Sequence, residues 1–105
     1  MRFHPLDKLI NLHDGYRRGF KIDSLGLLLI QDGERRYLLE ARCPHRGHPL
    51  DSAELEDGCL QCPLHQYRFN LATGKVISTT EEPCRPLRVY DLVYEGNEVG
   101  LLMPE

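Results

Sequence analysis

Short runs of apolar and β-branched residues alternate with turn residues along the chain, and no stretch sustains a helical period for long. The clearest example is GLLLIQDGERRYLLEA, in which Asp32-Gly33 lies between two strand-like segments. Glycine accepts a positive φ at no steric cost, so an Asp-Gly pair between apolar runs is typical of a tight β-hairpin. The pattern therefore predicts many short antiparallel strands.

Three further hairpins are predicted at other turns that contain glycine. ELEDGCLQC places Asp57-Gly58 at a bend, FNLATGKVI places Gly74 in a turn, and Glu95-Gly96-Asn97 joins two alternating segments. Strands joined by such short turns pair with their neighbours. The fold class that we expect is all-β, a small antiparallel sandwich or barrel-like stack of sheets.

Length and composition describe an ordinary globular chain. With 105 residues, we expect a single domain over residues 1–105, large enough for one modest core. Apolar residues make up 41% of the sequence and charged residues 28%, which argues against disorder. The net charge is −3 and the basic residues are scattered, so we expect no nucleic-acid partner.

No membrane or targeting segment is visible in the sequence. The longest apolar run, LGLLLI, is too short to span a bilayer, and the N-terminal residues lack an apolar signal region. We therefore expect a cytoplasmic protein. In that reducing compartment, four cysteines are more typical of metal ligands or thiols than of a disulfide framework.

Two cysteine–histidine pairs lie on the connections between the predicted hairpins. CPHRGHPL contains Cys43 and His45, and CPLHQYRF contains Cys62 and His65. A structural zinc ion could take these four ligands, but zinc sites usually pair like ligands within one knuckle. Mixed half-sites suit a [2Fe–2S] cluster with unlike irons, because each loop can give a thiolate to one iron and an imidazole to the other.

The spacing Cys-x-His…Cys-x-x-His resembles the Rieske motif, and the flanking residues extend the resemblance. CPHRGHPL is similar to the first cluster loop, and CPLHQYRFNLATGKV is similar to the second cluster loop of Rieske ferredoxins and ring-hydroxylating oxygenases. The resemblance covers roughly residues 15 to 103. It implies a Rieske fold, a small antiparallel β-sandwich with a cluster-binding subdomain of two hairpin loops.

The resemblance also implies the ligands and the loops that hold them. One [2Fe–2S] cluster per chain is expected, with Cys43 and Cys62 on one iron and His45 and His65 on the other. The cluster loops are expected at about residues 43–52 and 62–69, and a loop without regular structure at about residues 79–87 is expected to cover the cluster.

The branch of the family is indicated by four positions. High-potential Rieske subunits carry an extra cysteine in each loop, and the two form a disulfide, whereas this chain has His48 and Leu64. Where those subunits place serine and tyrosine hydroxyls near sulfur, this chain has Tyr67 and Phe69. Fewer hydrogen bonds to sulfur stabilise the reduced cluster less, so we expect a midpoint potential below roughly 0 mV.

The remaining cysteines and histidines receive simpler interpretations. We expect Cys59 to be a small apolar residue on a hairpin strand and Cys84 to be a thiol that shields the site from water. His48 is expected to be a solvated loop residue, and His4 and His13 are expected at the surface.

The function implied by the resemblance is that of a Rieske ferredoxin. Such a protein carries one electron at a time from an NAD(P)H-dependent flavin reductase to a terminal oxygenase. The chain has no room for a mononuclear iron domain, so we expect a monomeric electron-transfer protein and not an enzyme. Two alternatives are a small Rieske-like subunit of a larger oxidoreductase such as nitrite reductase, and a structural zinc module.

Overall fold

The computed structural model describes residues 1–44, 47–63, 66–78 and 84–104. Within these ranges the chain forms eleven β-strands and one short 3₁₀ turn, Leu9–Asn11. The strands are β1 (Arg2–Lys8), β2 (Arg17–Ile22), β3 (Leu25–Asp32), β4 (Arg35–Glu40), β5 (Glu54–Glu56), β6 (Cys59–Gln61), β7 (Arg68–Asn70), β8 (Val76–Ser78), β9 (Val89–Tyr90), β10 (Val93–Glu95) and β11 (Glu98–Met103). The described residues contain no helical segment with the length and apolar character of a membrane span.

The strands form three antiparallel sheets. Their orders are β1-β11-β10, β2-β3-β4-β9 and β5-β6-β7-β8. The predicted all-β, antiparallel fold class is therefore confirmed.

All four predicted hairpins are present, as β3–β4, β5–β6, β7–β8 and β10–β11. A fifth hairpin, β2–β3, was not predicted. Its turn is Asp23-Ser24, in which Asp23 has a φ of 54°, a conformation that glycine would adopt at less cost. Six paired residues on each strand hold this turn closed, so pairing between strands overrides the local preference.

β3 is buried on both faces because it lies in the middle layer of the fold. Leu27, Leu28, Leu29 and Ile30 are at most 1% exposed. Successive side chains of a strand point to opposite faces, so these four residues divide between two apolar cores. A continuous apolar run such as LLLI is typical of a strand covered on both sides.

The two cores are defined by their buried residues. The site core consists of Leu28, Ile30, Leu39, Cys43, Leu50, Ala53, Leu60, Cys62, Tyr67, Phe69, Leu71 and Leu87. The opposite core consists of Tyr16, Ile22, Leu27, Leu29, Leu38, Val99 and Leu101. The middle sheet thus separates both cysteines of the predicted half-sites from the sheet that contains the chain ends.

Asp7 links β1 to the opposite core through hydrogen bonds. Its carboxylate accepts hydrogen bonds from the Tyr16 hydroxyl at 2.6 Å and from the Asn11 amide at 2.8 Å, and Arg18 lies 3.5 Å away. The hydrogen bond from Tyr16, followed by the one from Asn11, lowers the pKa of Asp7 from 3.8 to about 2. Burial and the same carboxylate raise the pKa of Tyr16 to about 12.

We expect Gly100→Ala to destabilise the fold by about 1–3 kcal/mol, the usual cost of overpacking. A methyl group at position 100 of β11 would overlap the carbonyl oxygen of His4 and lie 2.9 Å from the Cα atom of Pro5. Gly19→Ala is the matched control in a strand, since its nearest neighbour is the Leu27 carbonyl oxygen at 3.8 Å. Urea denaturation measures both changes, and equal losses in the two variants would contradict this account.

We expect stability to fall in acid as Asp7 becomes protonated. Because the folded pKa of about 2 lies below the ordinary 3.8, the contribution is complete above about pH 4 and is lost as the pH falls towards 2. In Asp7→Asn this part of the pH dependence should disappear. The urea midpoint between pH 2 and pH 6 measures it, and parallel curves for the two proteins would exclude Asp7 as the source.

Candidate metal centre

The first half-site lies on the loop that directly follows β4. The loop is closed at its base by the Leu50 amide, which donates to the Ala41 carbonyl at 2.8 Å. Nearer its end, the Cys43 amide donates to the His48 carbonyl at 2.8 Å and the Gly47 amide donates to the Cys43 carbonyl at 2.7 Å. These bonds fix the backbone of Cys43 at the neck of the loop.

The second half-site uses the same closure between β6 and β7. The Cys62 amide donates to the Tyr67 carbonyl at 2.7 Å, so in both loops the cysteine amide bonds to the carbonyl five residues later. In both loops the residue before that carbonyl has a positive φ, 69° at Gly47 and 57° at Gln66. The two half-sites are therefore built on the same kind of turn.

Both cysteines are almost completely buried, and both belong to the site core. Cys43 is 2% exposed and Cys62 is 1% exposed. The aromatic side chains of Tyr67 and Phe69, also buried, pack into the same core. Two thiols from two loops thus enter one apolar, water-excluding environment.

The two predicted imidazole ligands, His45 and His65, lie outside the described residues, as do residues 79–83 of the predicted covering loop. Among the residues that the structure does describe, no three metal-binding side chains come together. The full set of four ligands therefore stays a prediction.

The described part of the predicted third loop has no regular structure and packs against the site core. Cys84 is half-buried there, and burial, followed by the neighbouring Cys43 thiol, raises its pKa. Leu87 is buried, and its amide donates to the Gly74 carbonyl at 2.8 Å. This part of the loop covers some of the core that contains both half-site cysteines.

The structure also describes Cys59 and the three histidines other than His45 and His65. Cys59 lies on β6, half-buried, and its Sγ atom is 3.7 Å from the Asp57 carbonyl oxygen. His48 is half-exposed on the first loop, and His4 and His13 are exposed.

Three arginines form hydrogen bonds in or next to the first loop, and the sequence pattern predicted no role for them. Arg17 donates to the carbonyls of Asp51, at 3.0 Å, and Ala53, at 2.6 Å. Arg42 donates to the Gly47 carbonyl at 2.9 Å. Arg85 binds the Glu40 carboxylate through two hydrogen bonds of 2.9 Å. No local motif marks these arginines, because most of their partners are distant in sequence.

The fold and the site together define an all-β protein in which two matching loops bring buried thiols into one core. Thiolates in a sheltered, apolar site are the donors that iron–sulfur clusters require, so the described residues fit such a group. Residues 3–91 match the Rieske [2Fe-2S] domain family. The chain belongs to this family, and its cofactor is a [2Fe–2S] cluster.

Curated relatives and solved structures agree with this assignment. The chain is 31% identical over 87 residues to the 3-phenylpropionate/cinnamic acid dioxygenase ferredoxin subunit of Escherichia coli K12, covering 81% of this chain and 80% of that protein. It is 34% identical over 64 residues to apoptosis-inducing factor 3 of mouse, but this match covers 61% of the chain and spans only 11% of that protein.

Among solved structures, the ferredoxin of carbazole 1,9a-dioxygenase from Nocardioides aromaticivorans IC177 has a TM-score of 0.79 at 27% identity, covering 95% of this chain and 96% of that chain. A complex of reduced oxygenase and oxidized ferredoxin in carbazole 1,9a-dioxygenase matches with a TM-score of 0.77 at 24% identity, covering 91% and 97%. The relatives of similar length are ferredoxin components of dioxygenases.

We expect Gly47→Ala to cost about 1–2 kcal/mol of stability, because a residue with a Cβ atom is strained at its φ of 69°, although none of the described residues beyond its chain neighbours lies within 4 Å of the added atom. Gln66→Gly makes the reverse change at the equivalent position of the second loop, because it removes a Cβ atom where φ is positive. The stability of this variant should be unchanged or higher. Guanidinium denaturation measures both. Wild-type stability in Gly47→Ala would show that the two loops do not share this constraint.

Proposed function

We propose that the protein is a Rieske ferredoxin that passes single electrons from an NAD(P)H-dependent flavin reductase to a terminal oxygenase. The observation that carries this proposal is the match, over 80% or more of both chains, with ferredoxin components of dioxygenases in Escherichia coli and Nocardioides aromaticivorans. In carbazole 1,9a-dioxygenase, a ferredoxin with this fold forms a complex with its oxygenase. The reductase is proposed from the resemblance stated above, because a carrier also needs an electron donor.

We further propose that Cys43 and Cys62 bind one iron, and that His45 and His65 bind the other. The support is the equivalent placement of the two buried thiols, at the necks of two loops with the same closure. A pair of thiolates and a pair of imidazoles is the donor set of a Rieske centre. We include residues 1–105 in one such domain, with cluster loops at about 43–52 and 62–69 and a covering loop at about 79–87.

When bound, the cluster accepts and releases one electron, and the chain's own residues set the conditions for that exchange. The amides of Cys43 and Cys62 donate to carbonyls of their own loops, so the backbone from which each thiol projects is fixed. The site core excludes water from the thiols. A site held this way needs little rearrangement when its charge changes by one, which favours a carrier.

Replacing a proposed ligand should remove the cluster, whereas replacing a nearby cysteine should not. We expect Cys62→Ser and His65→Ala to lose nearly all iron and sulfide, together with the visible absorption and the Rieske-type EPR signal. Cys59→Ala is the matched control, because Cys59 lies on the strand that leads to Cys62. Wild-type iron and sulfide contents in Cys62→Ser would contradict the assignment, and a single zinc ion in the wild-type protein would support the zinc module.

Electron transfer is tested by reconstitution with a purified flavin reductase and a terminal oxygenase. We expect the protein to be reduced by NAD(P)H only when the reductase is present and to be reoxidised by the oxygenase. The interface of such a shuttle is small and transient. Stable co-elution with a larger oxidoreductase on size exclusion would instead favour the fixed-subunit alternative.

The monomeric state and the cytoplasmic location stay predictions.

A further inference from the structure

One described segment, residues 84–88, connects the two parts of the fold that carry the cysteine loops. We call this segment the strap. The Leu87 amide donates to the Gly74 carbonyl, at 2.8 Å, in the β7–β8 turn. The Arg88 carbonyl accepts a hydrogen bond from the Glu40 amide, at 3.0 Å, at the end of β4. The strap therefore joins two different sheets.

Both attachment points are close in sequence to a half-site. Glu40 is three residues before Cys43, and the β7–β8 hairpin directly follows the loop that begins at Cys62. Within the strap, Leu87 is buried in the site core and Cys84 packs against it, and both half-site cysteines belong to this core. A displacement of the strap would therefore loosen the relation between the two loops and open the core to water.

The attachment to β4 is strengthened by an ion pair. Both terminal nitrogens of Arg85 donate to the Glu40 carboxylate, each at 2.9 Å, in a two-pronged arrangement. The Glu40 side chain is 11% exposed and that of Arg85 is 46% exposed. Glu40 is one of only two polar residues among the described ones that the fold buries. Loss of Arg85 would leave this carboxylate sheltered and unpaired, which is more costly than loss of an exposed pair.

We infer that Glu40 and Arg85 are positioning residues for the iron–sulfur centre. Their ion pair holds the strap against the site core, which fixes the two sheets that carry the cysteine loops relative to each other and excludes water from the thiols. This inference rests on the ligands assigned in the proposed function. The pair itself neither binds iron nor takes a direct part in electron transfer.

The inference is tested on the cluster-loaded protein with Glu40→Gln, Arg85→Gln and the double variant. We expect iron to be released to a chelator several-fold faster in each, faster hydrogen exchange at the Leu87 amide, and an altered EPR spectrum and midpoint potential. Because the two side chains act as one unit, the double variant should be no worse than either single variant. Arg85→Lys keeps the charge but not the two-pronged geometry, so its iron-release rate should lie between those of the wild type and Arg85→Gln.

Asp7→Asn is the matched control, because it removes a hydrogen-bonded carboxylate that contacts the opposite core. It should lower stability without changing the iron-release rate, the Leu87 exchange rate or the EPR spectrum.

Wild-type iron release and spectra in Glu40→Gln and Arg85→Gln would overturn the inference but leave the ligand assignment intact. The same holds if iron release in these variants is no faster than in Asp7→Asn. A wild-type protein that assembles no cluster would overturn the proposed function and this inference together. If the glutamine variants do not fold, Arg85→Lys decides, since unchanged iron release and Leu87 exchange in that variant contradict the positioning role.

Discussion

The site depends on one backbone interaction that occurs twice. In each loop the amide of the cysteine donates to the carbonyl five residues later, at 2.8 Å for Cys43 and 2.7 Å for Cys62. This bond ties each thiol to the framework of β-strands on either side of its loop. A buried thiol that is held by its own backbone keeps its position when the charge of the site changes, which is the property that a carrier of single electrons requires.

The middle sheet, β2-β3-β4-β9, lies between the site core and the opposite core. Its strand β3 is covered on both faces, so the site core and the opposite core share a single layer of backbone. The opposite core, with the Asp7–Tyr16 hydrogen bond at its edge, joins the two ends of the chain through β1 and β11. Apolar residues are buried on both faces of the middle sheet and stabilise the fold from both sides. The cysteine loops lie on only one of these faces.

Polar contacts between distant parts of the chain complete the surroundings of the site. Arg17 holds loop carbonyls from β2, and Arg85 holds the Glu40 carboxylate from the strap. The contact of Arg85 satisfies a carboxylate that is sheltered next to an apolar core, where an unpaired polar group is costly. Charged residues that are not among the proposed ligands thus support the backbone around the two half-sites.

The sequence by itself determined the features that depend on local chemistry. Asp57-Gly58 and the other glycine turns predict four hairpins because turn geometry involves only a few neighbouring residues, and the spacing of Cys43 and Cys62 relative to their histidines predicts the kind of metal centre. Only the tertiary structure decided the features that depend on distant partners: the β2–β3 hairpin with its strained Asp23, and the ion pair between Glu40 and Arg85. Neither leaves a local signal, because strand pairing and the approach of residues 45 positions apart are set by the packing of the whole chain.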